Sequence, residues 1–178
     1  MNGLRLMLEA LEFAARQHRD QRRKDAGASP YINHPIAVAQ VLASEGGVED
    51  VDVLRAALLH DVIEDTECTV EEMAARFGAR VAGIVGEVTN DKTLSKAEIK
   101  LAQIEKAPHM SVEAKLVKLA DKICNLTDIL THPPAAWPLE RKQAYFETSA
   151  KVVDGLRGVH AGLEARVDAL LARRTELL

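Results

Sequence analysis

The stretch "LLHDVIEDT", residues 58–66, sets a histidine and three carboxylates among leucine, valine and isoleucine: His60, Asp61, Glu64 and Asp65. In the helix predicted over about 52–64, His60 and Glu64 share one face, and Asp61 and Asp65 share the next. Buried carboxylates repel one another unless a positive group compensates. A divalent metal can do so, because imidazole and carboxylate both bind first-row metals. The stretch therefore indicates part of a metal site.

The composition bounds the class of protein. A chain of 178 residues predicts one domain over residues 1–178. Hydrophobic residues make up 47% and aromatic residues only 3%, which predicts an aliphatic core in a helix-rich fold. A net charge of −4 argues against nucleic-acid or anionic-membrane partners. Cys68 and Cys124 lack metal-type spacing, so we expect reduced thiols and a cytoplasmic location.

Helical periodicity runs along almost the whole chain. The segments "TVEE" and "SKAE" are capping boxes that predict helices starting after Thr69 and Ser95, and Ser111 is predicted to cap another. Gly155 and Gly158 are predicted to divide the last two helices. The N-terminal segment reads as an amphipathic helix rather than a signal peptide, and no apolar run is long enough to span a bilayer. With no alternating strand pattern, the predicted fold class is all-α, a bundle of about eight to nine helices.

Two further residues are candidates to complete the metal site, because an adjacent His-Asp pair cannot do so alone. His34 lies in "PYINHP", where a long polar loop meets a helix, and Asp121 lies in the otherwise apolar "KLADKICNL". Together with His60 and Asp61 they form a set of two imidazoles and two carboxylates, which suits Mn²⁺, Fe²⁺ or Zn²⁺. Such an ion lowers the pKa of water. Glu64 and Asp65 could then orient the water or move its proton.

Each of these predicted site residues could instead have a purely structural role. An isolated His-Asp dipeptide is usually structural, and Asp121 could pair with Lys118 or Lys122 at the surface. The remaining histidines are predicted to lie at the surface or in connectors: His18, His109, His132 and His160. Trp137 is predicted to pack the connector "THPPAAWPLE". The ordered combination of ligand types on helices favours the metal site.

An ordered His…His-Asp…Asp set on an all-helical chain resembles the HD-domain metal-dependent phosphohydrolases. Four segments narrow the resemblance to the hydrolase domain of RelA/SpoT-type alarmone enzymes: "RRKDAGASPYINHPIAVAQVL", "AALLHDVIEDT", "FGARVAGIVGEVTNDKTL" and "AKLVKLADKICNLTDI". The similarity covers nearly the whole chain, as in the stand-alone small alarmone hydrolases, which include the metazoan SpoT homologue. It implies an HD-domain bundle, one Mn²⁺ ion, and hydrolysis of the 3′-pyrophosphate of guanosine 3′,5′-bis(diphosphate) (ppGpp) or its pentaphosphate pppGpp. The products would be GDP or GTP and pyrophosphate.

The resemblance also assigns roles by position. It makes metal ligands of His34, His60, Asp61 and Asp121, and a catalytic pair of Glu64 and Asp65. Substrate contacts are expected from Arg23 and Lys24 at the guanine end, from Asn125 near the ribose and phosphates, and from Lys96, Arg141 and Tyr145. One departure from the family pattern is Asn90 in "TNDK", where an acid is common. It lies outside the predicted ligand set.

Three alternatives stay open at this point. The same pocket could serve a 2′-phosphatase acting on NADPH, an activity that relatives of the metazoan type also have. The chain could be a non-catalytic nucleotide sensor, although the retained ligands and the Glu64-Asp65 pair argue against this. A general HD-type nucleotidase or cyclic-dinucleotide phosphodiesterase fits the surrounding motifs less well. The expected partner is a small nucleotide, and the oligomeric state and the preference between ppGpp and pppGpp stay open.

Overall fold

Helices make up the regular structure of the computed structural model, which describes residues 2–177. The α-helices are α1 (Gly3–Gln17), α2 (Asn33–Gln40), α3 (Val51–Leu59), α4 (Val62–Asp65), α5 (Val70–Phe77), α6 (Ala79–Val88), α7 (Lys96–Lys106), α8 (Val112–Thr131), α9 (Leu139–Leu156) and α10 (Ala161–Ala172). A π-helical turn (Val41–Glu45) extends α2, and 3₁₀ turns (Ala107–His109, Arg173–Glu176) follow α7 and α10. Between residues 2 and 177, β pairing is limited to one isolated bridge. Met1 and Leu178, the ends of the predicted domain, lie outside the described residues.

The predicted helix starts are confirmed at the three capping sites. The Thr69 hydroxyl accepts a hydrogen bond from the Glu72 amide at 3.2 Å. Ser95 and Glu98 make both bonds of a capping box, since the Ser95 amide donates to Oε2 of Glu98 at 2.8 Å and the Glu98 amide donates to the Ser95 hydroxyl at 3.3 Å. The Ser111 hydroxyl accepts a hydrogen bond from the Ala114 amide at 3.2 Å and caps α8. These bonds satisfy amides that the first helical turn leaves without a partner.

The predicted helix over 52–64 is interrupted, and this corrects the sequence-based expectation. Helix α3 ends at Leu59 and α4 begins at Val62, so His60 and Asp61 lie at the junction. The Ala57 carbonyl, which an uninterrupted helix would offer to the Asp61 amide, accepts a hydrogen bond from Nδ1 of His60 at 2.8 Å. The apolar periodicity continues through the junction, so local pattern alone could not reveal the break.

Gly155 was predicted to end a helix, and this was wrong, because it lies inside α9. A Cβ at this position would lie 2.8 Å from Cβ of Ala107 and 2.8 Å from Cδ of Pro108. Glycine here lets α9 approach the 3₁₀ turn closely. Gly158, with φ of 87°, does lie in the link between α9 and α10, where a left-handed conformation favours glycine.

The core is built around α3 and α8, and this packing places the site. Helix α3 packs against α1, α2 and α6, while α8 packs against α2, α6, α9 and α10. Helix α2 thus contacts both central helices, and its first turn faces the end of α3 and the middle of α8. Among residues 2–177, no helix is both long enough and apolar enough to cross a membrane.

Candidate metal centre and adjoining cavity

Three buried side chains from three different helical elements converge on one point. His34 comes from the first turn of α2, His60 from the end of α3, and Asp121 from the middle of α8. One potential ligand atom from each residue lies within 4.8 Å of the others. The predicted ligands that are far apart in sequence are therefore neighbours in space. Asp121 does pair with Lys118, whose Nζ lies 3.7 Å from its Oδ2, but both side chains are buried, so the pair is not at the surface.

Asp61, the fourth predicted ligand, borders the same point. Its Oδ2 atom lies 3.0 Å from Nε2 of His60 and 3.8 Å from Nε2 of His34. Oδ1 of Asp121 approaches the same two nitrogens, at 3.2 Å from His34 and 3.8 Å from His60. Two imidazole nitrogens and two carboxylate oxygens thus surround a common centre.

His60 has the protonation pattern of a metal ligand in its neutral form. Its Nδ1 donates to the Ala57 carbonyl, so Nε2 carries the lone pair that faces the carboxylates. Nε2 is buried and has no hydrogen-bond partner, although Oδ2 of Asp61 is only 3.0 Å away. A lone pair held this close to a carboxylate needs a proton or a cation between them. The donor set and this unpartnered nitrogen fit a divalent ion bound by His34, His60, Asp61 and Asp121.

The charged side chains of the site strongly shift one another's pKa values. Burial by itself lowers the pKa of His60, but the negative charge of Asp61 outweighs burial and raises that pKa to about 9. Burial tends to raise the pKa of Asp61, yet the positive charge at His60 holds it well below its usual range. The pKa of Asp121 is also far below its usual range, because a hydrogen bond from His34 and the charge of Lys118 outweigh burial. The site therefore favours a positive charge between the imidazoles and the carboxylates, which a bound metal cation would supply.

Two further side chains hold the carboxylate ligands. The Tyr31 hydroxyl donates to Oδ2 of Asp61 at 2.5 Å, and burial together with Asp61 raises the pKa of this tyrosine. Nδ2 of Asn125, one turn after Asp121 on α8, donates to Oδ1 of Asp121 at 2.6 Å. Asn125 therefore contacts a predicted metal ligand, and it also lines the cavity described below. Sequence reasoning missed Tyr31, whose signal was its place three residues before His34 in "PYINHP".

Glu64 and Asp65 lie just beyond the metal centre, in the single turn of α4. The backbone amide and the side-chain amide of Asn90 both donate to Glu64, at 2.9–3.0 Å. Nε2 of Gln21 donates to Oδ2 of Asp65 at 2.7 Å. Asn90 lies outside the predicted ligand set, but it contacts Glu64 of the predicted catalytic pair. Gln21 carried no motif that would have marked it.

His18 is also in this region, against expectation. It was predicted at the surface, but only 2% of it is exposed, and its ring lies 4.9 Å from that of Tyr31. Its Nδ1 is 2.7 Å from Oε1 of Gln21. The prediction failed because His18 sits where α1 ends and the loop turns inward beneath Tyr31, which is a tertiary contact.

A cavity of about 650 Å³ opens beside the candidate metal centre and reaches it at His34, and Asp65 of the acidic pair also lines the cavity. Four of the predicted substrate residues line it: Arg23, Lys24, Asn125 and Tyr145. Arg23 donates to Asp128 at 2.5 Å and to Asn125 at 3.3 Å, which fixes the guanidinium at the cavity wall. The cavity thus places the positive charges of Arg23 and Lys24 next to the acidic metal centre. This arrangement suits a ligand that carries both phosphates and a heterocyclic base.

The other two predicted substrate residues do not line this cavity. The Arg141 guanidinium lies over the Trp137 ring at 4.2 Å, and Trp137 does line the cavity. Trp137 therefore contributes to the cavity wall rather than only packing the connector. Lys96 is exposed in the first turn of α7. Contacts from Lys96 and Arg141 to a substrate stay predictions.

Comparison with protein families finds a match to the HD domain over residues 10–150. A protein of Danio rerio named guanosine-3′,5′-bis(diphosphate) 3′-pyrophosphohydrolase MESH1 is 52% identical over 169 residues, covering 95% of this chain and 94% of that protein. The protein of the same name from Homo sapiens is 54% identical over 168 residues, covering 94% of each chain.

A solved structure is similar to this chain in both sequence and fold. It is described as a metazoan ortholog of SpoT that hydrolyzes ppGpp and plays a role in starvation responses. It is 48% identical to this chain, covers 97% of both chains and superposes with a TM-score of 0.93. The helical arrangement around the metal centre is therefore similar to one already seen in a ppGpp hydrolase.

Proposed function

The chain belongs to the HD-domain family, and from that premise we propose that it is a guanosine-3′,5′-bis(diphosphate) 3′-pyrophosphohydrolase. It would hydrolyse ppGpp to GDP and pyrophosphate, and pppGpp to GTP and pyrophosphate. The observation that supports the proposal is one site in which His34, His60 and Asp121 converge beside Asp61, with a cavity next to it that Arg23, Lys24 and Asp65 line. The names of relatives more than 50% identical over nearly their whole length support the same activity.

We propose one Mn²⁺ ion as the cofactor, held by His34, His60, Asp61 and Asp121. Mixed imidazole and carboxylate ligands suit Mn²⁺, and the unpartnered Nε2 of His60 is the nitrogen that a metal would engage. When bound, such an ion supplies Lewis-acid polarisation of a phosphoryl group and lowers the pKa of water. Tyr31 and Asn125 would keep the two carboxylate ligands oriented.

Glu64 and Asp65 would orient the attacking water and transfer its proton. In the proposed reaction, water attacks the phosphorus attached to the 3′-oxygen, and the bond between that phosphorus and the 3′-oxygen breaks. The attacking water loses a proton, and the leaving 3′-oxygen gains one, so two proton transfers are needed. A pair of adjacent carboxylates at the mouth of the metal centre can orient the water and serve both transfers.

Arg23 and Lys24 would hold the nucleotide. A guanidinium can stack on a purine and can donate in a forked manner to a phosphate, and Arg23 already lies 5.7 Å from the Tyr31 ring centroid. The chain carries a net charge of −4 while the substrate is strongly anionic, so positive charge local to the cavity is needed to attract it. Tyr145 would close the far wall beside Trp137, whose ring centroid is 5.9 Å away.

The proposal extends to the whole chain and to its location. We propose that residues 1–178 act as one HD domain, because core contacts link α1 to α3 and α10 to α8. Both cysteines, Cys68 and Cys124, are free and buried, which supports a reducing, cytoplasmic environment. The relatives give no support to the NADPH 2′-phosphatase alternative.

The test uses the full chain, stripped of metal and resupplied with Mn²⁺, Zn²⁺ or Mg²⁺ in parallel. Each sample is incubated with ppGpp and separately with NADPH, and the products are resolved by anion exchange. We expect GDP and pyrophosphate from ppGpp, fastest with Mn²⁺ and abolished by chelation. NADH and phosphate without any GDP would replace the proposal by the phosphatase, and no product from either substrate would favour a sensor.

A further inference from the structure

The acidic pair is held in place from outside its own helix. Helix α4 contains only Val62–Asp65, a single turn, and Thr66 after it is extended, with φ of −130° and ψ of −176°. One turn cannot by itself restrict two flexible carboxylate side chains. The contacts that restrict Glu64 and Asp65 come from the loop after α6 and from the loop after α1.

Asn90 holds Glu64 through three hydrogen bonds. The Asn90 backbone amide donates to Oε2 at 3.0 Å. The side-chain Nδ2 donates to Oε1 at 3.0 Å and to Oε2 at 2.9 Å. Both carboxylate oxygens of Glu64 are engaged, so the plane and the direction of the carboxylate are defined, while lone pairs remain for a water molecule.

The orientation of the Asn90 amide is itself set by a third side chain. Nε2 of Gln103, on α7, donates to Oδ1 of Asn90 at 3.0 Å. If the Asn90 amide flipped, its oxygen would face the Glu64 carboxylate and its NH₂ group would face the Gln103 donor. Both contacts would then be lost, so the chain from Gln103 through Asn90 to Glu64 has one favourable direction.

Asp65 is held by a second chain of the same form. Nε2 of Gln21 donates to Oδ2 of Asp65 at 2.7 Å. Oε1 of Gln21 lies 2.7 Å from Nδ1 of His18, which must carry the hydrogen because an amide oxygen only accepts. His18 is buried at the end of α1, so this chain starts from a fixed point in the core.

We propose that Asn90 and Gln21 are positioning residues that aim the two carboxylates of Glu64 and Asp65 at the reacting water. The inference rests on the proposed hydrolysis and deepens it. Neutral amides suit this task, because they donate hydrogen bonds that orient a carboxylate. A lysine or arginine would bind the carboxylate more strongly through its full positive charge and would compete with the water for it.

The test compares Asn90→Ala and Gln21→Ala with wild type, each loaded with Mn²⁺ and assayed on ppGpp. We expect kcat to fall about 10- to 100-fold, because small misplacements of a catalytic group have effects of this size. KM should change less than about two-fold, and bound metal, measured by elemental analysis, should equal that of wild type, because neither residue contacts a ligand atom. Asp91→Ala is the matched control in the same loop, because the Asp91 side chain accepts hydrogen bonds from Thr93 and not from a group that contacts Glu64. Its kcat should match wild type.

Two further variants separate positioning from general damage to the fold. In a Glu64→Gln background, Asn90→Ala should cause no additional loss of kcat, because both changes act through one carboxylate. Gln103→Leu leaves the contact between Asn90 and Glu64 intact but removes the donor that fixes the amide, so kcat should fall by a smaller factor than in Asn90→Ala.

The outcomes also separate this inference from the proposed function. If wild type produces no GDP from ppGpp, the proposed function has failed. If wild type is active and both Asn90→Ala and Gln21→Ala retain its kcat, the positioning roles are refuted while the activity stands. The positioning of Glu64 by Asn90 would also be overturned if Asn90→Ala lowered kcat by the same factor in the Glu64→Gln background as in wild type. Loss of bound metal in Asn90→Ala would overturn it as well.

Discussion

The Tyr31 hydroxyl donates a 2.5 Å hydrogen bond to Oδ2 of Asp61, so the loop before α2 holds a carboxylate from the end of α3. This bond links two elements that both supply residues to the metal centre. Outer contacts of this type orient a ligand and keep it ready for the metal.

Replacing Tyr31 by phenylalanine should weaken metal binding by about 10-fold, because second contacts to ligands typically contribute 10- to 100-fold to affinity. Competition with a fluorescent chelator measures the dissociation constant for Mn²⁺. Tyr145→Phe is the matched control, since Tyr145 lines the same cavity but its ring packs beside Trp137. Equal affinities for all three proteins would show that Tyr31 does not support the site.

His60→Ala and Asp121→Ala should each abolish metal binding and turnover. Each change removes one of the few ligands and leaves the remaining buried charges without compensation. Metal content by elemental analysis and GDP formation from ppGpp are measured on the same samples. His109→Ala, at an exposed histidine, should retain both. A ligand variant that recovers full activity after chelation and return of Mn²⁺ would disprove the ligand assignment.

Glu64→Gln should keep the metal and lose most of the rate, by about 10²- to 10⁴-fold in kcat, because an amide cannot carry the proton. Steady-state kinetics with parallel metal analysis checks this. If the variant loses its metal instead, Glu64 is a ligand and the roles within "LLHDVIEDT" must be reassigned.

Arg23→Ala should raise KM for ppGpp by about 10-fold, with a smaller effect on kcat, because a charged hydrogen bond contributes roughly 1.5–3 kcal/mol. Arg23→Lys should recover only part of the binding, since an ammonium neither forks nor stacks like a guanidinium. Initial rates over a range of ppGpp concentrations separate the two constants. A large fall in kcat at unchanged KM would place Arg23 in transition-state stabilisation.

Glu164, in the first turn of α10, makes the free energy of unfolding depend on pH. Its carboxylate accepts the backbone amides of His160, Val159 and Gly158, each at 3.0 Å, and these bonds lower its pKa. A lowered pKa in the folded state means that the contribution is present above the unfolded pKa of about 4.3 and is lost as pH falls through the folded pKa.

The Glu164→Gln variant should therefore unfold more easily by about 1 kcal/mol at pH 7, and the difference should shrink below about pH 4. Urea unfolding at pH 7 and at pH 3.5 measures both values. Glu105→Gln, at an exposed glutamate on α7, is the control and should show no such difference. A penalty for Glu164→Gln that is the same at both pH values would mean that the charge of Glu164 is not involved.

The positions of most helices could be predicted from the sequence because their causes are local. The caps at Thr69, Ser95 and Ser111 each use a side chain and an amide three residues apart, so the pattern contains the whole interaction. The break between α3 and α4 could not be predicted, because the imidazole of His60 takes the Ala57 carbonyl while the apolar pattern continues through it.

The all-α class, the types of candidate ligand and their order along the chain could be predicted without a structure, because helical periodicity and side-chain chemistry belong to the residues themselves. Tertiary packing was needed to set α2 against both α3 and α8, which brings His34 to Asp121. It alone placed Asn90 against Glu64 and buried His18 beneath Tyr31. Such contacts join residues that are distant in the chain, and their energy depends on packing that no local pattern records.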